Sequence, residues 1–247
     1  MTSAHPSVQL YSVRDAIALD LPGALKRVAD IGFKNVELYN FVDRYEEYRA
    51  ALADNGLAAP TAHAKLAGQE LEPIFTAAQA LGITTVIDPH IDEARWTSRE
   101  SIASIAADLN AAATAASAFG LNVGYHNHAF ELEILIDGVP ALEILAEYLD
   151  EGVLLEVDTY WAAVGGQDVV ELLGRLGSRV QFLHVKDGPL TKNDKEQQAV
   201  GQGKMPVGAI LEARPSALRI VELDDFDGDV FDALVDSYSY LTAGANA

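Results

Sequence analysis

Cysteine is absent from the 247 residues of the chain, and basic residues are scarce. Without thiolates the protein forms no disulfide and has no cysteine nucleophile, so any metal must be held by His, Asp or Glu. The chain has 17 Lys and Arg against 37 Asp and Glu, a formal net charge of −20. A field of this sign repels phosphate backbones and anionic membrane surfaces, which argues against nucleic acid and membranes as partners.

Targeting and membrane-spanning patterns are also missing from the sequence. Met1 to Pro22 contains no charged segment followed by an apolar stretch, and no apolar run is long enough to cross a bilayer. We therefore expect a soluble cytoplasmic protein. Because 49% of the residues are apolar, residues 1–247 can bury one large core, and we expect a single domain.

Short β-rich apolar runs alternate with segments of helical period, a pattern typical of βα units and a parallel sheet. The predicted strands are Val8–Val13, Asn35–Leu38, Ala58–His63, Thr84–Pro89, Asn122–His128, Leu154–Asp158, Val180–Lys186 and Leu218–Glu222. The predicted helices are Leu21–Ile31, Tyr45–Asn55, Leu71–Leu81, Ser98–Phe119, Val139–Leu149, Val169–Leu176, Pro206–Ala213 and Asp229–Leu241. Eight similar units without a linker favour a closed (β/α)8 barrel over an open doubly wound sheet. The longest polar loop, Lys186–Gly203, is the candidate lid.

Side chains able to titrate or bind metals lie at the predicted strand ends. They are Glu37, His63, Asp88, His90, His126, His128, Glu156, Asp158, His184, Lys186, Asp187, Glu222 and Asp224. In a (β/α)8 barrel the carboxyl ends of all strands meet at one mouth, so these residues become neighbours. Five of the six histidines belong to this set. The set predicts a polar site at the mouth.

Individually, most of these residues also have ordinary structural interpretations. A lone His63 or His90 is more often a hydrogen-bonded wall residue than a ligand, and Glu37 can pair with a buried cation. Glu156 shares a strand face with Asp158 and can accept hydrogen bonds from residues that bind a metal. The structural interpretation is weakest for Asp158, His184 and Glu222 at the ends of three apolar strands.

A divalent ion held by two or three carboxylates and one imidazole suits Mn²⁺, Mg²⁺, Co²⁺ or Zn²⁺. Such an ion polarises a carbonyl and stabilises the enediolate formed when the neighbouring C–H proton leaves, while carboxylates act as general base and acid. The set therefore indicates proton transfer next to a carbonyl.

Seven segments together resemble a known family: "VELY", "TAH", "GYHNHAFEL", "LLEVDTYWAAVGG", "FLHVKDG", "VGQGKMPVGAIL" and "VELDD". In this order they are similar to the sugar phosphate isomerase/epimerase group of the xylose isomerase-like TIM barrels, from Val8 to Leu241. The resemblance implies one divalent metal ion, Mn²⁺ in the first instance, and a carbohydrate substrate. The sequence leaves open whether the protein forms a homodimer or needs a partner subunit.

For the site, the resemblance implies metal ligands at the ends of the fifth to eighth strands. Asp158, His184 and Glu222 match three of them. The fifth strand departs from the pattern, because "YHNH" stands where ketose epimerases of the family have a glutamate. We take Glu131 as the fourth ligand, with His126 or His128 as alternatives for the metal or the substrate. Glu131 and Glu222 would transfer protons, with His126 as a further catalytic residue.

The remaining candidates would contact the substrate: Glu37, His63, His90, His128, Trp161 and Lys186. Trp161 offers a flat face for a sugar ring, although an aromatic residue after a strand is often ordinary packing. Lys186 could anchor a substrate oxygen or a phosphate, or simply pair with a carboxylate.

The leading hypothesis is a metal-dependent isomerase or epimerase acting on a keto-sugar or sugar phosphate. The main alternative is a lyase or hydrolase on the same scaffold, as in inosose dehydration or 3-keto-glycoside cleavage. The resemblance also extends to DNA-repair enzymes of the endonuclease IV type, against which the net charge argues. A non-catalytic sugar-binding barrel is the last alternative.

Overall fold

Eight parallel strands close into a barrel in the computed structural model, which describes residues 5–243. In chain order the barrel strands are Ser7–Gln9, Asn35–Leu38, Ala58–His63, Thr85–Asp88, Asn122–His126, Val153–Asp158, Val180–Val185 and Leu218–Val221. The first strand pairs with the second and also with the eighth, where Ser7 lies opposite Ile220. This closure confirms the predicted (β/α)8 barrel, and the open sheet is wrong.

Helices follow the strands around the barrel. They are Arg14–Leu19, Leu21–Ile31, Tyr45–Asn55, Leu71–Ala80, Arg99–Ser117, Phe130–Glu133, Ala141–Tyr148, Thr159–Val164, Val169–Leu176, Val207–Ala213 and Val230–Thr242. The longest helix begins one residue after its predicted start, because Ser98 is the N-cap: its hydroxyl accepts the Ser101 backbone N–H, and the Ser101 hydroxyl accepts that of Ser98. Across residues 5–243, no helix has both the length and the apolar composition of a membrane span.

Short 3-10 helices occupy Leu10–Val13, Val42–Arg44, Glu93–Arg95, Gly177–Arg179 and Asp194–Glu196. The first of them corrects the predicted strand Val8–Val13. The strand ends at Gln9, because the Gln9 side-chain oxygen accepts the Tyr11 backbone N–H at 3.0 Å and starts a turn. An apolar run of this length does not by itself distinguish a strand from a turn of helix.

The fifth strand and the segment after it also differ from the prediction. The strand ends at His126, two residues early, because the Asn127 side chain accepts the Asp158 backbone N–H at 3.1 Å and redirects the chain. The unpredicted helix Phe130–Glu133 follows. Val139–Pro140 then pairs with Leu135–Ile136 in a two-stranded hairpin, so the next helix begins at Ala141.

Alternating residues of the strands fill the barrel interior in layers. An apolar layer at the amino end contains Ile87, Phe182 and Ile220, with Leu154 and Leu218 against it. Since side chains alternate across a strand, the next inward positions on the same strands are Glu156, His184 and Glu222. The interior therefore changes from apolar to titratable toward the carboxyl end of the strands, where the loops form the mouth.

The loop after the seventh strand, predicted as a lid, is held at both ends by one buried carboxylate. Asp187 Oδ1 accepts the backbone N–H of Gly188 at 2.8 Å and of Met205 at 3.0 Å, and Oδ2 accepts that of Gly201 at 2.9 Å. The Asp187 carbonyl accepts the Gln198 N–H at 2.9 Å. Asp187 therefore shapes this loop.

Candidate metal centre

Four potential metal ligands meet at the carboxyl end of the barrel. His126 and Asp158 are the last residues of the fifth and sixth strands, His184 lies in the seventh, and Glu222 directly follows the eighth. All four are buried, and one ligand atom of each lies within 4.8 Å of the others. We call His126, Asp158, His184 and Glu222 the outer group.

A second set overlaps with the outer group and includes the fully buried Glu156. His63 and Glu156, together with His126 and His184, also bring four ligand atoms within 4.8 Å of one another. We call His63, His126, Glu156 and His184 the inner group. Its ligand types are one carboxylate and three imidazoles, whereas the outer group has two of each.

Each of the two shared imidazoles has one nitrogen near Glu156 and the other near a carboxylate of the outer group. His126 Nδ1 lies 2.9 Å from Glu156 Oε2, and its Nε2 lies 4.0 Å from Asp158 Oδ2. His184 Nε2 lies 2.7 Å from Glu37 Oε1 and 3.0 Å from Glu156 Oε2, and its Nδ1 lies 2.8 Å from Glu222 Oε2. Carboxylates behind both rings therefore fix which nitrogen faces outward.

Glu37 and Glu156 form a buried carboxylate pair beneath the histidines. His63 Nε2 lies 2.7 Å from Glu156 Oε2 and 3.2 Å from Glu37 Oε1, and the Gln9 amide donates to Glu37 Oε1 at 2.9 Å. Burial and the charge of Glu156 raise the pKa of Glu37. Burial alone would also raise the pKa of Glu156, but His184 and His63 hold it well below the usual range. The predicted substrate residue Glu37 is thus a partner of histidines within the barrel.

The same carboxylates control the charge of the two shared rings. Burial works to lower the pKa of His184, but Glu156, Glu222 and Glu37 raise it well above its ordinary value. For His126, burial and the nearby His184 lower the pKa well below that value. The pKa values of the two imidazoles therefore shift in opposite directions although the rings are neighbours, with centroids 4.5 Å apart.

Lys186 places a buried ammonium group against the outer group. Its Nζ lies 2.9 Å from Asp158 Oδ2, 2.7 Å from Glu222 Oε2 and 2.7 Å from Asp224 Oδ2. Burial works to lower the pKa of Lys186, but Asp158, Asp224 and Glu222 raise it well above the ordinary value. Conversely, Lys186 and His184 outweigh burial and hold the pKa of Glu222 well below its usual range. The ion-pair interpretation of Lys186 therefore describes its contacts.

Glu131, the expected ligand from the fifth strand, lies outside both groups. It is fully buried in the helix Phe130–Glu133, where Oε1 accepts the Tyr125 hydroxyl at 2.6 Å and Oε2 accepts the His128 backbone N–H at 2.8 Å. Burial and the charge of Glu131 raise the pKa of Tyr125 well above its ordinary value. The structure brings His126, and not Glu131, to Asp158, His184 and Glu222.

A cleft of about 590 Å³ opens over the outer group. Its walls include His126 and Glu222 and four of the predicted substrate residues: His63, His90, His128 and Trp161. Sequence reasoning missed Tyr11, Arg14, Tyr39, Asn40, Lys65, Asp194 and Asp225, which also line it. Tyr39 and Asn40 directly follow the second strand, so the strand-end rule applied to every polar residue would have found them.

Asp224 connects the cleft to the loop after the seventh strand. Its Oδ2 accepts the Trp161 indole N–H at 3.1 Å and the Gln197 amide at 2.7 Å, and its backbone N–H donates to Gln197 at 2.8 Å.

Asp88 has a structural role at the mouth of the barrel. Its carboxylate accepts the backbone N–H groups of Leu66, Ala67 and His90, so it organises the loops after the third and fourth strands.

Comparison with protein-family models matches residues 25–213 to the xylose isomerase-like TIM barrel family. The chain belongs to this family. A search of curated proteins returned no match.

Solved structures with the same fold have low sequence identity to this chain. A sugar phosphate isomerase/epimerase from Parabacteroides distasonis is 21% identical, with a TM-score of 0.85 over 98% of this chain and 95% of that one. A probable 3-DHS dehydratase, AsbF, from Bacillus anthracis is 15% identical, with a TM-score of 0.76 over 96% and 98%. The IOLI protein with a bound zinc atom is 15% identical, with a TM-score of 0.69 over 98% and 96%. At these identities the likeness shows the fold.

Proposed function

We propose that this protein is a divalent-metal-dependent isomerase or epimerase that transfers a proton next to the carbonyl of a keto-sugar. The observation that carries the proposal is the convergence of His126, Asp158, His184 and Glu222 at the carboxyl end of the barrel, where His126 and Glu222 line the cleft. An isomerase/epimerase and a dehydratase among the structural neighbours are consistent with this class of chemistry.

We assign the metal to the outer group. His126 and Glu222 line the cleft, so an ion there would be within reach of a substrate, whereas the carboxylates Glu37 and Glu156 lie beneath it. Asp158 Oδ2 is buried against the Lys186 ammonium group at 2.9 Å, while Oδ1 accepts the Trp161 N–H at 2.8 Å. A site of two imidazoles and two carboxylates suits Mn²⁺, Co²⁺ or Zn²⁺ better than Mg²⁺, because Mg²⁺ prefers oxygen ligands. When bound, such an ion polarises a carbonyl group.

Glu222 is the residue that we assign to proton transfer. Its carboxylate lines the cleft, within reach of a bound sugar, and a carboxylate positioned in this way can act as a general base. The eighth strand lies opposite the fourth in the barrel order, and His90 follows the fourth strand. A sugar in the cleft would therefore have Glu222 on one side and His90 and His128 on the other. Glu131 has both oxygens occupied away from the cleft, so we no longer give it this role.

Glu156→Gln is expected to weaken metal binding about 10–100-fold, the usual cost of losing a residue that hydrogen-bonds a metal ligand. The Glu156 carboxylate contacts the far nitrogens of both shared imidazoles, and an amide would replace one acceptor oxygen by a donor. Affinity would be measured by competition with a fluorescent chelator. Glu143→Gln, which removes a carboxylate paired with Arg175 away from the barrel interior, is the matched control. If Glu156→Gln lost the metal entirely while Asp158→Asn kept it, the ion would belong to the inner group.

Lys186→Met is expected to tighten metal binding, by about tenfold or more. The ammonium group contacts two oxygens of the outer group, so its charge opposes a cation there. The same chelator competition would measure the change, and Lys192→Met, which removes an exposed lysine, controls for net charge. Weaker binding in Lys186→Met would show that Lys186 holds the ligands in place more than it competes with the ion.

The function is tested by stripping the purified chain with a chelator, reloading it with Mn²⁺, Co²⁺, Zn²⁺ or Mg²⁺, and measuring bound metal. Keto-sugars, free and phosphorylated, are then incubated in deuterated water, and C–H exchange is followed by NMR. We expect metal-dependent exchange and recovery of a stereoisomer or an aldose. Release of water or of an aglycone would instead indicate the lyase or hydrolase alternative. A protein without bound metal or exchange would contradict the proposal.

A further inference from the structure

A second cavity of about 360 Å³ adjoins the cleft at the rim of the barrel. It is lined by His90, Glu93, His128, Phe130, Trp161 and Lys192, among others, and we call it the side chamber. His90, His128 and Trp161 line both cavities. A molecule bound over the outer group can therefore extend past these three side chains into the side chamber.

Aromatic rings in fixed positions line the side chamber. The Phe130 ring lies nearly parallel to the His128 ring, with centroids 6.0 Å apart, and His90 meets both edge-on at 5.7 and 5.2 Å. Phe130 also packs edge-on against the buried Trp96, and the hydrogen bond to Asp224 fixes the Trp161 indole. The half-buried rings of His128, Phe130 and Trp161, with the exposed His90 beside them, suit the flat apolar face of a second ring, either aromatic or a sugar.

The charges around the side chamber disfavour an anionic ligand. Among the described residues that line it, Glu93 and Glu133 carry negative charge, and Lys192 is already paired with Glu133 at 2.7 Å. This ion pair joins the loop after the seventh strand to the helix Phe130–Glu133. A phosphate here would meet two carboxylates and a neutralised lysine, in a chain of net charge −20.

We propose that the side chamber is a subsite for an uncharged ring attached to the sugar, so that the substrate is a neutral keto-sugar bearing a second ring and not a sugar phosphate. The inference rests on the proposed function, which places the keto-sugar over the outer group. The cleft and the side chamber each fall within the range of about 300–1,000 Å³ typical of ligand pockets, and together they hold a two-ring molecule.

Binding measurements test the subsite without any turnover. The probes are glucose, glucose 6-phosphate and phenyl β-glucoside, titrated against the metal-loaded protein by calorimetry and by fluorescence of Trp161, the partly exposed member of the two tryptophans. We expect the phenyl glucoside to bind about tenfold more tightly than glucose, and glucose 6-phosphate to gain nothing. Equal binding of glucose and the glucoside, including no binding by either, would overturn the proposal. A gain for glucose 6-phosphate alone would identify an anion site instead.

Phe130→Ala and Phe130→Leu locate the effect within the molecule. Both variants should lose most of the tenfold advantage of the glucoside and leave glucose binding unchanged, and the leucine variant keeps the apolar volume if the alanine variant fails to fold. Phe119→Ala removes another half-buried ring, packed on Phe75 at the opposite end of the fifth strand, and should leave both affinities as in the wild type. Equal weakening of glucose and the glucoside in the Phe130 variants would contradict a separate subsite.

Failure of the subsite proposal can be distinguished from failure of the proposed function. If no keto-sugar exchanges a proton but the glucoside still binds through Phe130, the site is a sugar-binding site without this chemistry. If exchange occurs while the glucoside binds no better than glucose, the function stands and the side chamber is not a subsite.

Discussion

Glu222→Gln is expected to lower turnover by about 10²–10⁴-fold, the usual contribution of a positioned general base. The amide keeps the shape and one metal-binding oxygen of Glu222 but cannot take up a proton. Metal binding should therefore weaken much less than turnover. Deuterium exchange under saturating metal and the chelator competition would measure the two effects separately on the same preparation.

Glu147→Gln serves as the matched control for Glu222→Gln. It makes the same substitution at an exposed carboxylate paired with Arg99 on the outer surface, and activity should be unchanged. Turnover within a few-fold of wild type in Glu222→Gln would remove Glu222 from proton transfer. Loss of metal and activity in equal measure would make Glu222 a ligand without a further role.

His126→Gly removes a metal ligand and is expected to lower metal affinity by more than about 100-fold. Loss of a residue that only hydrogen-bonds a ligand costs about 10–100-fold. Glu131→Gln, by contrast, should keep the metal. His126 Nε2 faces Asp158, while both oxygens of Glu131 bind the Tyr125 hydroxyl and the His128 N–H. Metal content after dialysis, measured by elemental analysis, would compare the two variants. Added imidazole should restore binding in His126→Gly, because it supplies the missing nitrogen.

Thermal unfolding separates metal binding from stability in this pair. Glu131→Gln leaves one of two buried donors without its carboxylate oxygen, which should cost about 1–3 kcal/mol. We therefore expect a lower unfolding temperature with metal retained. The opposite result, metal lost in Glu131→Gln and retained in His126→Gly, would return the fourth ligand to Glu131 as the family resemblance implied.

Much of the fold could be predicted because the strands carry strong local patterns. Asn35–Leu38 and Ala58–His63 were predicted with the bounds that the structure shows. The errors fall where a side chain competes with the strand for backbone hydrogen bonds, as Gln9 does at Tyr11 and Asn127 does at Asp158. Such contacts depend on distant residues or on a single turn, so periodicity does not detect them.

The sequence placed Asp158, His184 and Glu222 in one set of candidate ligands and named Glu131 as the fourth, with His126 as an alternative, and the structure brings His126 to the other three. Asp158 ends the sixth strand, His184 lies in the seventh and Glu222 follows the eighth, so the alternation of side chains along a strand indicates their direction from the sequence. Glu131 lies five residues beyond the fifth strand, in a short helix that the sequence did not reveal. The helix turns this carboxylate onto Tyr125 and leaves the inward position to His126.

The sequence by itself determined the eight βα units, the absence of thiolate ligands and the set of imidazoles and carboxylates at the strand ends. These follow from local periodicity and residue chemistry. Only the tertiary structure decided that Glu37, His63 and Glu156 contact one or both of His126 and His184, that Lys186 contacts the outer group, and that a side chamber adjoins the cleft. Those contacts join residues up to 147 positions apart in the chain. They depend on how the barrel strands are staggered when the sheet closes, and local patterns do not encode that register.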